Sequence, residues 1–508
     1  MPRLANGLFL CFLAGTGATV HAQDTYVVTR FDDPSPNGCI ASDCSLREAM
    51  AAANGDYGHD IIELGAGTYT LRSTLVASGS VSIVGVGAAS TRIVTSVSLD
   101  PALQIDESLP ILFELYDLSL DARGGFELKG RADSVINLDG VELPNTSGKV
   151  WIAEAFGAST TVRDTWSAGS LVISGAIGSV IKDSRFAKLT VLQTDVDHAA
   201  AYGTTIERVT VDGTGYTGSG MRIGSIGAVS LADVTVRNTR YGLRFEKATP
   251  SVTIDRLHYL ANSEPLEFTL DSGVLIRDSE FVANVALDGA GQPGALWVRG
   301  DDAIVQVERS TFDTNKGSSP AGGAAFVENG AALVISQSTF SNNSFTAATA
   351  ASGPRGGAVG YRGSAGRTIL RLIGTTLVAP TYAVAGINGS LIGGFGAQAE
   401  AQVRLYNSIV DGSCATGIDL DHVEGSISTG SNSCQFPAFT NRAGATKAQL
   451  ALGSLGNNGG PTKTHLPATG SIAINAGTDY GCYLVAKDQR GYARRSGSAC
   501  DAGSVETG

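Results

Sequence analysis

Residues able to do chemistry are sparse in this chain, and a set worth testing lies between residues 288 and 313. Asp288, Asp301, Asp302 and Asp313 are four carboxylates, and Arg309 stands among them. Clustered carboxylates bind calcium through their oxygens, and an arginine held beside them could act as base in β-elimination from a uronate. Hydrolysis of a glycosidic bond asks instead for two carboxyls in different protonation states. Asp301-Asp302 is an adjacent pair, but Gly300 before it makes Gly-Asp-Asp read as a turn. The histidines at 59, 198, 258, 422 and 465 share no metal-ligand spacing. No phosphate loop, Ser-His-Asp context or nucleophilic cysteine stands out. The expected cofactor is therefore none, with calcium at the acids as the one alternative. All of this depends on which elements carry the five residues.

Those elements repeat. A branched apolar residue, two polar ones, a small one, any residue and an aromatic or apolar one recur as IKDSRF at Ile181, IERVTV at Ile206, LADVTV at Leu231 and IDRLHY at Ile254. IRDSEF at Ile276, VERSTF at Val307, ISQSTF at Ile335, LIGTTL at Leu372 and LYNSIV at Leu405 continue the series, with LYDLSL at Leu115 and INLDGV at Ile136 before it. The last positions from 186 onward are 186, 211, 236, 259, 281, 312, 340, 377 and 410, a return every 22 to 37 residues. A strand-length unit without helical period, returning at that interval, predicts coils of a solenoid. Parallel crossovers prefer one hand, so the expected fold is all-β, a right-handed parallel β-helix of the pectin-lyase type. The 65 glycines supply positive φ at corners.

Tyr259, Phe281, Phe312 and Phe340 are each followed three positions on by an asparagine, Asn262, Asn284, Asn315 and Asn343. Equal phase predicts stacked rings inside and an asparagine ladder hydrogen-bonded along the stack. The stretches after Asn284, Asn315 and Asn343 vary in length and carry Asp288, Lys316 and Arg355. Insertions at one phase emerge on one face, so these loops are the expected contact surface. The formal charge of −12 argues against nucleic acid and anionic membranes, and mildly against polyanionic glycans.

The first 22 residues read as a signal peptide: Arg3, a 13-residue apolar run from Leu8 to Val20, and small residues before Gln23. That run is too short to span a bilayer, and no transmembrane segment is expected. Setting Cys11 aside leaves six cysteines, Cys39 with Cys44, Cys414 with Cys434, and Cys482 with Cys500, which proximity pairs as three disulfides outside the coils. Ser45 and Glu48 form a capping box opening a short helix whose Leu46, Ala49, Met50 and Ala53 share a face, a lid for the first coil. Arg47 and Glu48 are read as cap and local ion pair.

Cys44-Ser45-Leu46-Arg47-Glu48-Ala49, with Asp60, Ile62, Leu64, Gly67, Thr68 and Tyr69, resembles the CSLREA domain at the N-terminus of bacterial surface proteins. The stretch from Leu450 to Glu506 resembles the choice-of-anchor Q domain at Asn458-Gly459-Gly460-Pro461-Thr462, Asp488-Gln489-Arg490-Gly491, Arg494, Cys500-Asp501 and Glu506. The sorting tail that usually follows such a domain is not expected, since the chain stops two residues later. Asp488, Arg490 and Asp501 are read as buried ion pairs of a second end cap, and His465 as a packed residue. The FxxN spacing together with Gly322-Gly323-Ala324 and Gly356-Gly357-Ala358 resembles the repeats of polymorphic outer-membrane proteins, which are adhesin-like β-helices.

Five regions are expected: a signal peptide (1–22), an N-terminal cap (23–70), the β-helix (71–412), a disulfide loop and linker (413–449) and a small β-rich module (450–508). The reading is a non-enzymatic protein, monomeric and secreted or on the extracellular face of the bacterial outer membrane. Its expected partner is an extracellular glycan or surface protein. The alternative is a carbohydrate-active enzyme, a polysaccharide lyase or hydrolase. Against the hydrolase, the Gly-His-Gly and Arg-x-Lys motifs of pectin-hydrolysing β-helices occur nowhere in the chain.

Overall fold

The computed structural model describes residues 23–507 apart from 56–57, 96–101, 107–108, 122–124, 129–132, 145–148, 155–158, 176–177, 194–202, 247–250, 270–272, 288–290, 319–321, 347–355, 364–367, 381–389, 397–400, 416–417, 419, 430–433 and 438–439. The signal-peptide expectation thus lies outside the described residues. From Thr25 to Glu424 the chain winds as a parallel β-helix. One face is a 16-stranded sheet running from Thr25–Val28 to His422–Glu424. The other two faces join where the long strands Trp166–Ser174 and Arg185–Leu192 take part in both. No helix among the described residues is long and apolar enough to cross a membrane.

Each position of the repeat has a physical job. The opening branched residue forms one interior column: Ile181, Ile206, Leu231, Ile254, Ile276, Val307, Ile335, Leu372 and Leu405 pair in register and are fully buried. The third residue turns the corner in the left-handed region, as at Asp183 (φ 51°), Arg208 (53°), Asp233 (54°), Arg256 (54°), Asp278 (52°) and Arg309 (48°). That conformation strains an arginine. Here each arginine forks onto the aspartate one coil back: Arg208 onto Asp183, Arg256 onto Asp233, Arg309 onto Asp278. From Ser279 onward the fourth residue is a buried hydroxyl, whereas Val209, Val234 and Leu257 fill that place in the three coils before it. Ser279 accepts the Leu257 N–H, Ser310 that of Ser279 and Ser338 that of Ser310, while each hydroxyl donates to the carbonyl two residues back.

One copy of the repeat is slipped relative to the sequence reading. Leu138, not Ile136, pairs with Leu115 and Val162, so Gly140 takes the turn. The neighbouring coil at Val162 carries Ser167 opposite Phe186, and a serine at the aromatic position conceals that coil from the pattern.

The aromatic and asparagine columns stand where the spacing predicts. Phe281, Phe312 and Phe340 are fully buried and stack at 4.4 Å with interplanar angles of 1° and 3°. Asn284 donates its side-chain N–H to Tyr259 O and to Asn315 Oδ1, and Asn315 repeats this with Phe281 O and Asn343 Oδ1. The asparagines thus satisfy corner backbone groups that apolar neighbours leave orphaned.

At the N-terminal end, α1 (Leu46–Ala53) buries Leu46, Ala49, Met50 and Ala53 behind a complete Ser45–Glu48 capping box. Arg47 forks onto Asp33 and donates to the carbonyls of Ser73 and Thr74, while Asn54 accepts from the Ser78 and Gly79 N–H groups. The helix is a lid bolted to the first coil.

The C-terminal segment departs from the end cap of the sequence reading. It is made of turns, isolated bridges and two short helices, α2 (Lys447–Leu450) and α3 (Asp479–Tyr483), and it lies along the flank of the last coils. Buried Gln489 donates to Ser310 O, Thr311 Oγ1 and Lys463 O, and accepts from Thr339 Oγ1. Thr462 donates to Arg309 O, Ser504 N to Thr376 Oγ1, and Gly503 N to Asn407 O. Gly503 has φ 95°, and a Cβ there would stand 2.7 Å from Ile409 and Thr376, so glycine alone fits. The segment therefore braces four consecutive coils. Its own interior holds Asp488, which accepts from the Arg490, Tyr492 and Glu506 N–H groups, and fully buried Arg494, which donates to Asp501 O.

Phe312→Ala is expected to lower stability by about 3–5 kcal/mol and Asn315→Ala by about 1–3 kcal/mol, both read by urea unfolding. Losses under 0.5 kcal/mol for both would contradict the stacked columns.

His465 reports on the brace. It is buried between Gly453 O (2.7 Å) and Ser341 Oγ (3.0 Å), and burial pushes its pKa below 6.5 despite the nearby carboxylates of Asp313 and Asp411. As pH falls below 6.5 the unfolded chain protonates this group before the folded one does, so stability drops with falling pH. Thermal melts between pH 7.5 and 5 should show a loss that His465→Gln flattens. Identical pH slopes for variant and wild type would contradict it.

Candidate functional site

The five residues of the lyase reading do not meet. Asp301 and Asp302 are exposed in the turn between strands Leu296–Arg299 and Ile304–Glu308. Arg309 lies at the far corner of that second strand, which spans roughly 17 Å at about 3.3 Å per residue. Its guanidinium is forked onto Asp278 and touches Glu308, and these partners push its pKa further up. An arginine so engaged is a poor proton acceptor. Asp313 is half-buried in the strand Thr311–Asp313, where burial raises its carboxyl while Lys463 and His465 oppose the shift. Asp288 falls outside the described residues. No group of three or more His, Cys, Asp or Glu among the described residues is placed to hold a metal ion.

Three disulfides, Cys39–Cys44, Cys414–Cys434 and Cys482–Cys500, join the pairs that proximity predicts. The loops after Asn284, Asn315 and Asn343 leave from one corner: Val285 bridges Lys316, and Lys316–Ser318 pairs with Ser344–Thr346. Their tips, with Arg355, fall outside the described residues.

The more suggestive surface lies earlier in the chain. The strands Arg185–Leu192, Gly220–Gly224 and Leu243–Phe245 are successive rungs of one face, with Lys188 opposite Gly220 and Arg222 opposite Arg244. Alternation buries Leu189, Met221, Ile223, Leu243 and Phe245, and so turns Lys188, Arg222 and Arg244 outward. Lys188, Gly218, Gly220, Arg222, Tyr241, Arg244 and Glu246 line a groove of about 290 Å³. Gly220 makes its floor, since a Cβ there would stand 3.1 Å from the Tyr241 Cβ. The Tyr241 ring is 40% exposed, with the Arg240 and Arg244 guanidiniums 5.7 and 6.0 Å from its centroid.

Two arginines directly opposite on adjacent rungs repel. Glu246 answers one, accepting from Arg222 Nε and Nη2 at 2.6 and 2.7 Å, and Glu264 accepts from Arg244. The pairs fix both guanidiniums within the groove. Further along the same column, Trp297 is 9% exposed, lies 4.2 Å beneath Arg299 and donates to Glu328, so that end of the face is closed. A second recess, about 520 Å³, is lined by Arg404, Tyr406, Asp421, His422, Glu424 and Tyr480. Its charges are satisfied among themselves, Arg404 by Asp421 and His422 by Glu424, and Tyr406 is 7% exposed.

The side chains of the Tyr241 groove occupy the variable outward positions of the repeat, which carry no motif. One signal was available: Arg222 and Arg244 lie 22 residues apart, the length of the shortest coil.

No family model matches the chain, and no curated protein is similar to it. Solved structures with related architecture include the catalytic domain of a GH87 α-1,3-glucanase in complex with nigerose, at TM-score 0.37 and 13% identity. That match covers 81% of this chain, which spans 65% of the glucanase domain. The A-module of the mannuronan C-5 epimerase AlgE4 of Azotobacter vinelandii gives 0.26 and 14%, covering 79% and 91% of the two chains. Pectate lyase Pel9A gives 0.25 and 14%, covering 96% and 98%. At such scores these likenesses decide nothing about a ligand. The protein's class, a parallel β-helix, rests on its strand pairing.

The double substitution Asp301→Ala with Asp302→Ala is expected to change stability by less than about 0.5 kcal/mol. Calcium-dependent release of unsaturated uronate that this double substitution abolishes would restore the lyase reading.

Proposed function

We propose that this chain is an exported, monomeric β-helix that binds glycan without cleaving it, at the bacterial cell surface or free outside the cell. The observation that carries the reading is the exposed Tyr241 ring in an open groove that also holds Arg222 and Arg244, each fixed by an ion pair. A sugar offers an apolar face and a rim of hydroxyls, and an aromatic ring beside preorganised donors complements both. Preorganisation matters because a donor already held in place loses little entropy on binding.

Export is supported by the three disulfides, since such bonds persist in oxidising compartments; Cys414 carries one of them on a coil strand, where the sequence reading keeps all three outside the coils. Surface location rests on the likeness of the chain's two ends to CSLREA and choice-of-anchor Q domains. The non-catalytic reading is supported by the separation of Asp301 and Asp302 from Arg309.

A glycan array probed with the purified chain is expected to give saccharide ligands whose affinity falls at least about tenfold in Tyr241→Ala, a loss worth some 1.4 kcal/mol. Binding unchanged by that substitution, absence of any glycan ligand, or release of cleaved sugar would overturn the proposal.

A further inference from the structure

We infer that the Tyr241 groove selects an acidic saccharide, one carrying carboxylate or sulfate groups. The inference rests on the glycan-binding reading and goes on to name the ligand class. Formal charge is the first reason. The chain carries −12 overall, yet the groove gathers Lys188, Arg222 and Arg244 against the single lining acid Glu246, with Arg240 beside the ring. A cationic patch of this kind on an acidic protein is a local feature that net charge conceals, and it reverses the expectation drawn from composition.

The ion-pair geometry is the second reason. Arg222 gives Nε and Nη2 to Glu246, which leaves its Nη1 donors outside that fork. Arg244 pairs with Glu264, whose side chain is 11% exposed. Lys188 and Arg240 have no ion pair among the described residues, so their charge stays available. Two guanidiniums are therefore oriented by protein carboxylates while two more cations await a counter-charge. A neutral sugar would leave those cations without a partner, whereas a uronate or sulfate ester would accept charge-assisted hydrogen bonds from them.

The groove's shape is the third reason. Gly218 and Gly220 keep the floor free of side chains, and Tyr241 forms a wall between Arg240 and Arg244. A pyranose packed on the ring thus has cations along its edge, where an exocyclic acid group projects. Trp297 and Phe326, further along the face, are closed off by Arg299, Glu328 and Arg362, which confines the selection to the Tyr241 end.

The test is calorimetric titration of the full chain with oligogalacturonate, a sulfated oligosaccharide and a neutral gluco-oligosaccharide of equal length. The acidic ligands should bind at least about tenfold tighter than the neutral one, as expected for one retained charged hydrogen bond. Raising the salt should weaken acidic binding and leave neutral binding unchanged. Lys188→Gln with Arg240→Gln, both at exposed or half-exposed positions, should remove the preference, while Tyr241→Ala should weaken every ligand. Neutral and acidic ligands binding equally well, both dependent on Tyr241, would overturn the selectivity and leave glycan binding standing. No Tyr241-dependent binding of any saccharide would overturn both.

Discussion

The structure depends on register. A solenoid coil has no fixed partner except its neighbours, so a slip of one residue would invert every side chain from there on. Three ladders hold the phase: the left-handed corner residues, the buried hydroxyls behind them, and the asparagines at the next corner. Each hydrogen-bonds to the equivalent residue, or its backbone, one coil away. Once phase is locked, the direction of every outward side chain follows. Lys188, Arg222 and Arg244 then share a face because they occupy equivalent strands, although more than fifty residues separate the first from the last.

A column of interchangeable contacts is exposed at its ends and free to fray. The N-terminal lid covers one end with an apolar helix. The C-terminal segment acts differently, crossing the coils at their hydroxyl corners and tying Arg309, Thr339, Thr376 and Asn407 to one strap. Gln489 shows why glutamine suits that junction: its amide donates to two carbonyls and to the Thr311 and Thr462 hydroxyls, and accepts from the Thr339 hydroxyl of the next coil.

Much of the architecture was legible in the chain because the ladder residues are the repeat itself. Phe281, Phe312 and Phe340 stack as their spacing implies, the three disulfides join near neighbours, and Ser45 with Glu48 caps its helix. The slip at Ile136 arose because an apolar residue two positions early mimics the opening position. The flank-lying brace was illegible because Gln489 and Ser504 contact coils more than a hundred residues away. Candidate sites fared worse. Asp301, Asp302 and Arg309 are near in sequence but sit at different corners, whereas the Tyr241 groove is assembled from one face of several coils. Nearness along the chain is a poor guide in a solenoid; nearness in coil phase is a good one.

Hydrogen exchange of the full chain with and without saturating oligogalacturonate tests this account most directly. Added protection should centre on residues 218–222 and 240–246 and on the strand bearing Lys188. Protection confined instead to the loops after Asn284, Asn315 and Asn343, or to residues 404–424 and α3, would contradict it.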